Sequence, residues 1–175
     1  LANNDRASRG LPELRVNPLL EEAARMKAED MAAKEYFAHT SPEGLTPWGW
    51  ITRAGDAYVH AGENLAVNFS ESASVASAWM NSPGHRDNIL NPNYTEMGIA
   101  TAEGVYKGKE TVFVVQMFGA PARTSTVTAP TPAAVSPSAP EPIVQPEEQE
   151  VVLEAPIATP VATTEEPAMV AGTEP

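Results

Sequence analysis

The chain has no cysteine, which excludes disulfide bonds and thiolate chemistry and leaves the redox compartment unreadable from cysteine usage. Basic residues are scarce: 11 lysines and arginines stand against 23 aspartates and glutamates, for a formal net charge of -12. A nucleic-acid-binding surface needs a basic face for the phosphates, so this balance argues against nucleic acid as a partner. The sequence also lacks an uninterrupted apolar run of membrane-spanning length.

The composition changes once, near Pro121. Residues 121–175 contain no aromatic residue, no lysine and one arginine, but eight glutamates and eleven prolines. A segment with so few apolar side chains gains too little from burial to offset its loss of chain entropy. We therefore predict one folded domain over residues 1–120 and a disordered Pro/Glu-rich tail over residues 121–175. A short strand at Val151–Leu153 is the disfavoured alternative within this tail.

Helical patterns dominate the first ninety residues. One helix is predicted to end near Gly10, and a second to run from Asn17 to about Tyr36, because apolar residues recur along it at spacings of three and four. A short helix is predicted to open at Thr46 and to end at Gly55, and Ser70 or Ser72 is predicted to cap the next helix. The apolar stripe of the second helix consists of Leu20, Ala24, Ala28 and Met31.

Strand patterns are fewer. Tyr58–His60 is predicted to be a short strand leading to Glu63. Met97–Ala102 and Thr111–Phe118 are predicted to form a hairpin, joined by the two-glycine stretch Glu103–Glu110. The second of these strands is apolar at nearly every position, so both of its faces should be covered. Helices on both sides of a small antiparallel sheet satisfy this pattern and predict an α+β domain.

A histidine occupies the first turn of another predicted helix. Ser82 is expected to cap this helix by accepting a hydrogen bond from a first-turn amide, and Pro83 suits the first helical position. His85 then lies near the positive end of the helix. Ile89, one turn later, is expected to face the core.

Three histidines and one glutamate are the candidates for chemistry. Glu63 is flanked by small and apolar residues, which predicts a half-buried carboxylate that needs a partner. His39 and His85 lie at element boundaries, where side chains can converge on a cleft. His60 is interpreted as a strand or loop residue. A single histidine under a loop is more often a satisfied polar group than a ligand, so the prediction depends on the group and not on one residue.

Several ordered motifs resemble those of the CAP superfamily (cysteine-rich secretory proteins, antigen 5 and pathogenesis-related proteins of group 1), also called the SCP domain. The bacterial branch without disulfides fits best. Ala2 departs from the pattern, since many animal and plant members have histidine there. The matching residues span positions 1–119 and are Asn3, Arg6, Gly10–Leu11, Gly62–Ala66, Trp79, Gly84–Leu90, Gly98 and Gln116–Gly119.

The resemblance implies a three-layer α-β-α sandwich with a cleft lined by two histidines and two acids. Carried over, the histidines are His39 and His85 and the first acid is Glu63, with Asn64 beside it. The second acid usually lies three residues after the tryptophan, where this chain has Ser82. Family members are normally exported, so we expect an extracellular or envelope-attached protein. Because the chain starts at Leu1 and not at Met, we expect its leader to lie outside this chain.

These features favour a binding or interaction module over an enzyme, although they leave enzymatic activity open. Its expected ligands are a divalent, zinc-like ion at His39, His85 and Glu63, a small apolar molecule such as a sterol or fatty acid, or both, with an extracellular protein or cell surface as a further partner. The alternative is a metal-dependent hydrolase that uses the same three residues. No nucleophile motif is present and the second acid is missing, which weakens the hydrolase hypothesis.

Overall fold

The structure, a computed structural model, describes residues 1–122. Residues 123–175 of the predicted tail, with the disfavoured strand at Val151–Leu153, lie outside the described residues, whereas Pro121, its predicted first residue, ends the last strand of the fold. The elements, in chain order, are α1 (Ala2–Ala7), β1 (Arg15–Val16), α2 (Pro18–Lys34), α3 (Pro47–Arg53), β2 (Tyr58–Val67), α4 (Ser72–Asn81), α5 (Pro83–Leu90), β3 (Glu96–Tyr106) and β4 (Lys109–Pro121).

The strands form one four-stranded sheet in the order β1-β3-β4-β2. The long strand β4 pairs with β2 and with β3 in antiparallel orientation, as predicted. The two-residue β1 pairs with β3 in parallel. The turn between β3 and β4 is only Lys107–Gly108, and both residues have positive φ, 51° and 76°. This is the backbone of a tight two-residue hairpin turn, so the strands extend well into the predicted loop at residues 103–110.

Helices cover both faces of this sheet. On one face, α2 and α3 contribute to a core with β2 and β4. On the other face, α4 and α5 build a second core with the same two strands, and α1 packs against it. The predicted apolar stripe of α2 is completely buried, and β4 is buried continuously from Phe113 to Ala120. The predicted α-β-α sandwich is thus confirmed.

Several predicted boundaries were wrong by a few residues. The helix predicted to reach Tyr36 ends at Lys34, where Glu35 takes a left-handed conformation that stops it. The helix α4 has Glu71 at its N-cap, not Ser70 or Ser72. The strand predicted at Tyr58–His60 runs on to Val67 and contains Glu63 instead of preceding it. By contrast, the predicted cap at Asn17 is confirmed, since its side chain accepts from the Leu19 amide at 2.9 Å.

Arg6 connects α1 to the end of α5. Its side chain is buried and donates hydrogen bonds to backbone carbonyls, which satisfies groups that the end of a helix leaves open. The helix that carries His85 is therefore fixed at its far end by a residue from the start of the chain. The accepting carbonyls belong to Pro12 at 2.8 Å, Ile89 at 2.9 Å, Asn91 at 2.8 Å and Tyr94 at 3.4 Å.

Within residues 1–122, no helix combines the length and the apolar character that crossing a bilayer requires.

Candidate functional site at the edge of the sheet

Glu63 and Asn64 are adjacent on the edge strand β2 and therefore point to opposite faces of the sheet. Ala61 and Leu65 share the face of Glu63 and lie in the α2/α3 core. Ala66 shares the face of Asn64 and lies in the α4/α5 core. The strand edge is thus the line along which residues from both helical layers can meet.

His39 approaches Glu63 from the α2/α3 side. It lies in the loop after α2, and its Nδ1 is 2.6 Å from Oε1 of Glu63. The Glu63 side chain is only 2% exposed, so it is fully buried and not half-buried as predicted. Its second oxygen, Oε2, is buried without a hydrogen-bond partner within residues 1–122. A buried carboxylate oxygen without a partner is costly, and residues 1–122 supply none for this oxygen.

Lys27 on α2 holds the loop that carries His39. This lysine is fully buried on α2, and its Nζ donates to the carbonyl of Ala38 at 2.7 Å and to that of His39 at 2.8 Å. It also donates to the Tyr36 hydroxyl at 3.2 Å, which in turn donates to Asp30 at 2.7 Å. The sequence analysis missed Lys27, although its spacing from Leu20, Ala24 and Met31 already put it on the buried stripe of the helix.

His85 approaches the strand edge from the α4/α5 side. Its Nδ1 lies 2.8 Å from the Ser82 hydroxyl, and both residues are buried. Ser82 is the N-cap residue by its backbone, but the predicted capping bond was wrong because the hydroxyl is used on His85. Burial lowers the pKa of His85 from 6.5 to about 4, and repulsion from His39 adds to this effect. His85 is therefore neutral at physiological pH, and its pKa depends on the charge of His39.

A network of amide side chains joins the two halves of the site. Asn64 Nδ2 donates to the carbonyl of His85 at 3.2 Å and to Oε1 of Gln116 at 3.4 Å. Asn88 Nδ2 donates to the carbonyl of Glu63 at 3.1 Å and to Oδ1 of Asn64 at 3.0 Å. The predicted cleft residue Asn64 is thus central to the site. Gln116 was missed, although a polar residue inside a fully apolar strand was a usable signal.

The structure pairs two of the three predicted ion ligands, His39 and Glu63, and places the third, His85, against Ser82. Among the described residues, no group of three or more histidines, aspartates and glutamates is placed to hold one metal ion. Oε1 of Glu63 is hydrogen-bonded to Nδ1 of His39, and this contact fixes the orientation of the imidazole ring. His60 is exposed on β2.

A cavity of about 340 Å³ lies on the α4/α5 face of the sheet. Its floor is the sheet, and its walls come from α1, α4 and the segment before α4. The lining is mostly apolar, although it includes two carboxylates. The lining residues are Leu1, Ala2, Asp5, Phe69, Ser70, Glu71, Ser72, Val75, Ala76, Trp79, Ile89, Met97, Ile99, Thr101, Val112, Val114 and Gln116.

The fold is an α-β-α sandwich in which the loop after α2 and the first turn of α5 place His39 and His85 on opposite sides of the edge strand β2. The model of the cysteine-rich secretory protein (CAP) family matches residues 1–118. The chain belongs to this family, which confirms the resemblance seen in the sequence.

Bacterial proteins are among its similar relatives. YkwD of Bacillus subtilis (strain 168) is 43% identical over 103 residues, which are 59% of this chain and 40% of YkwD. An extracellular protein containing an SCP domain from Bacillus anthracis matches with a TM-score of 0.58 and 33% identity, over 67% of this chain and 37% of that one. An outer surface protein from Borrelia burgdorferi matches with a TM-score of 0.59 and 26% identity, over 69% of this chain and 87% of that one. The chain thus spans well under half the length of the two Bacillus proteins.

Proposed function

We propose that this CAP domain is a binding module that takes the aliphatic part of a small apolar ligand into the cavity between α1, α4 and the sheet. The observation that carries the proposal is the cavity itself, with its volume of about 340 Å³ and its mainly apolar lining. Small-molecule sites have volumes of about 300–1,000 Å³ and a few polar groups in an apolar wall. A sterol or a fatty acid would bring the required apolar body.

The floor of the cavity explains what the ligand would gain. Met97 and Ile99 of β3 and Val112 of β4 face it, yet the helices cover them incompletely, and Ile99 is 46% exposed. Apolar surface removed from water contributes about 25 cal/mol per Å². An aliphatic chain lying on this floor would complete the cover that the helices leave open.

The test is a calorimetric titration with dodecanol, which has an uncharged head, on the wild type and a blocked variant. Thr101→Trp fills the cavity from an exposed position on its floor. Glu103→Trp is the matched control, since Glu103 is exposed on the same face of β3 but does not line the cavity. We expect saturable binding by the wild type and the control, and binding at least about tenfold weaker in Thr101→Trp. Equal binding by all three, or none by the folded wild type, would overturn the proposal.

A divalent ion at the histidine pair is a second candidate ligand. It is supported by the unpartnered Oε2 of Glu63 and by the bond that orients His39. His39 and His85 would hold a zinc-like ion, whose bound water would become more acidic. The test is calorimetric titration with zinc at neutral pH on His39→Ala and His85→Ala, with the exposed His60→Ala as control. Binding that both cleft variants retain would exclude the pair as ligands.

The hydrolase alternative depends on the same ion, since His39, His85 and Glu63 would have to activate water at it. Absence of saturable zinc binding to the wild type would therefore remove both the ion site and the hydrolase.

An extracellular or envelope-attached location is also proposed, together with a role towards an extracellular protein or cell surface. It is supported by the descriptions of the Bacillus anthracis relative as extracellular and of the Borrelia relative as an outer surface protein. Fractionation of the producing cells is the test, and recovery of the protein only from the cytoplasm would contradict this location.

A further inference from the structure

Two carboxylates stand at the apolar cavity. Asp5 of α1 and Glu71, the N-cap residue of α4, are the only charged side chains that line it within the part of the chain that the structure describes. Asp5 is partly buried and Glu71 is exposed, so both are close to solvent and not deep in the apolar interior. They lie where the head group of an amphiphile would emerge if its tail filled the cavity.

The start of α4 lies at the same place and brings a charge of the opposite sign. A helix N-terminus carries a partial positive charge of about half a unit, and its influence falls off within the first turn. Two full negative charges outweigh this partial charge even when the single positive charge of the Leu1 amino group, which also lines the cavity, is added to it. The electrostatic potential at the cavity mouth is therefore negative, in the same sense as the whole chain, whose formal net charge is -12.

We infer that this cavity selects amphiphiles by head group, with a cationic head preferred over an uncharged one and a carboxylate bound most weakly. The inference rests on the proposed function, since it assumes that an aliphatic tail occupies the cavity. It places alkylammonium-type ligands ahead of fatty acids, which share the tail but would bring a third negative charge to the mouth. Like charges at such a site repel, and the repulsion is reduced by salt.

The experiment compares three probes with one tail: dodecyltrimethylammonium, dodecanol and dodecanoate, each below its critical micelle concentration. Protein with an acetylated Leu1 amino group is used, so that among residues 1–122 the two carboxylates are the only charges lining the cavity. For each probe, the cavity-specific part of binding is the difference between the wild type and the blocked variant Thr101→Trp. This subtraction removes adsorption of the cationic probe to the acidic surface.

We expect the ammonium probe to bind about fivefold or more tightly than dodecanol, and dodecanoate to bind more weakly than dodecanol by a similar factor. In Asp5→Asn/Glu71→Gln the three affinities should converge, and in the wild type they should converge as salt is raised from about 20 mM to about 500 mM. The matched control is Glu13→Gln/Glu103→Gln, which removes two exposed carboxylates that do not line the cavity. This control should keep the wild-type order.

The outcomes separate this inference from the proposed function. Equal cavity-specific affinities for the three probes, or tightest binding of dodecanoate, would overturn the head-group selection while leaving the cavity as a ligand site. If the Glu13/Glu103 control lost the wild-type order of affinities, the overall charge of the protein and not the two carboxylates at the cavity mouth would set that order. This result would also overturn the inference. No cavity-specific binding of any probe would refute the proposed function itself.

Discussion

The hydroxyl oxygen of Ser82 lies 2.8 Å from Nδ1 of the buried His85. The resemblance to the CAP superfamily leads one to expect an acid at the position of Ser82. A carboxylate only accepts hydrogen bonds and would stabilise a charged imidazole, whereas a hydroxyl can donate or accept and adds no charge. The serine therefore keeps this side of the cleft neutral, while the other side has the carboxylate–histidine pair Glu63–His39. The two histidines are held by chemically different partners.

The first prediction concerns pH. Burial lowers the pKa of His85 to about 4, below its ordinary value of 6.5, so between these values the unfolded chain binds more protons than the folded one. The contribution of His85 to the free energy of unfolding is full above about pH 6.5. It is lost as pH falls towards 4, and the loss amounts to about 3 kcal/mol. His85→Gln should show a shallower loss of unfolding free energy over this interval in urea titrations. An imidazole NMR titration of His85 with a midpoint near 6.5 would contradict the account.

The second prediction separates the two roles that a serine can have at this position. The Ser82 hydroxyl makes no capping bond and Asp is itself a favourable N-cap residue, so Ser82→Asp should leave the start of α5 intact. A carboxylate next to Nδ1 favours the charged imidazole, and the pKa of His85 should rise by about two units. Ser82→Ala should instead lower the unfolding free energy by about 1–3 kcal/mol, because it leaves a buried ring nitrogen without its partner. An unchanged pKa of His85 in Ser82→Asp would show that the side chain at position 82 does not set the protonation of His85.

The third prediction concerns Lys27 as the residue that positions His39. Lys27→Met keeps the aliphatic volume but leaves the Ala38 and His39 carbonyls without this donor, at a cost of about 2–4 kcal/mol in unfolding free energy. The His39 ring signals should also broaden as the loop loosens. Lys34→Met is the control, since Lys34 makes surface ion pairs that are worth at most about 1 kcal/mol. Equal losses in both variants, with unchanged His39 signals, would contradict a positioning role.

The fourth prediction concerns the contact between α2 and the sheet. A Cβ added at Gly98 on β3 would collide with the backbone of Leu20 and Glu21, so the helix can lie this close only because residue 98 has no side chain. Gly98→Ala should lower the unfolding free energy by about 3 kcal/mol, at the upper end of overpacking costs. Gly84→Ala is the control: within the described residues its Cβ would meet nothing, and alanine in a helix gains about 0.5–1 kcal/mol over glycine. Similar thermal unfolding of both variants would refute the close contact.

The sequence was informative where a residue's role follows from its own neighbours. The buried stripe of α2 and the fully covered strand β4 follow from spacing and composition alone. Polar groups at element boundaries and among small residues are unusual, which made three histidines and Glu63 candidates, and the resemblance to the CAP superfamily then selected His39, His85 and Glu63. What each of them touches depended on the fold, since His39 and Glu63 are 24 positions apart.

Other features could not be read from the sequence because two locally reasonable roles compete. Ser82 satisfies every local criterion for a capping side chain, yet tertiary packing brings its hydroxyl to His85 instead. Residues 62–64 break the apolar pattern of a strand, so the length of β2 became clear only from its pairing with β4. The cavity is formed by α1, α4 and two strands that are distant in sequence, and no local pattern encodes the space between them.

The claim that the cavity holds an aliphatic chain is tested most directly by fluorescence quenching with a bromine-tipped dodecanol. Bromine quenches indole emission at contact, and Trp79 lines the cavity while Trp48 and Trp50 belong to α3 on the other face of the sheet. With three tryptophans in the chain, we predict a saturable loss of up to about a third of the emission in the wild type. The Trp79→Phe variant should show no saturable loss. Equal quenching of both proteins, or no saturable quenching of the folded wild type, would contradict the account.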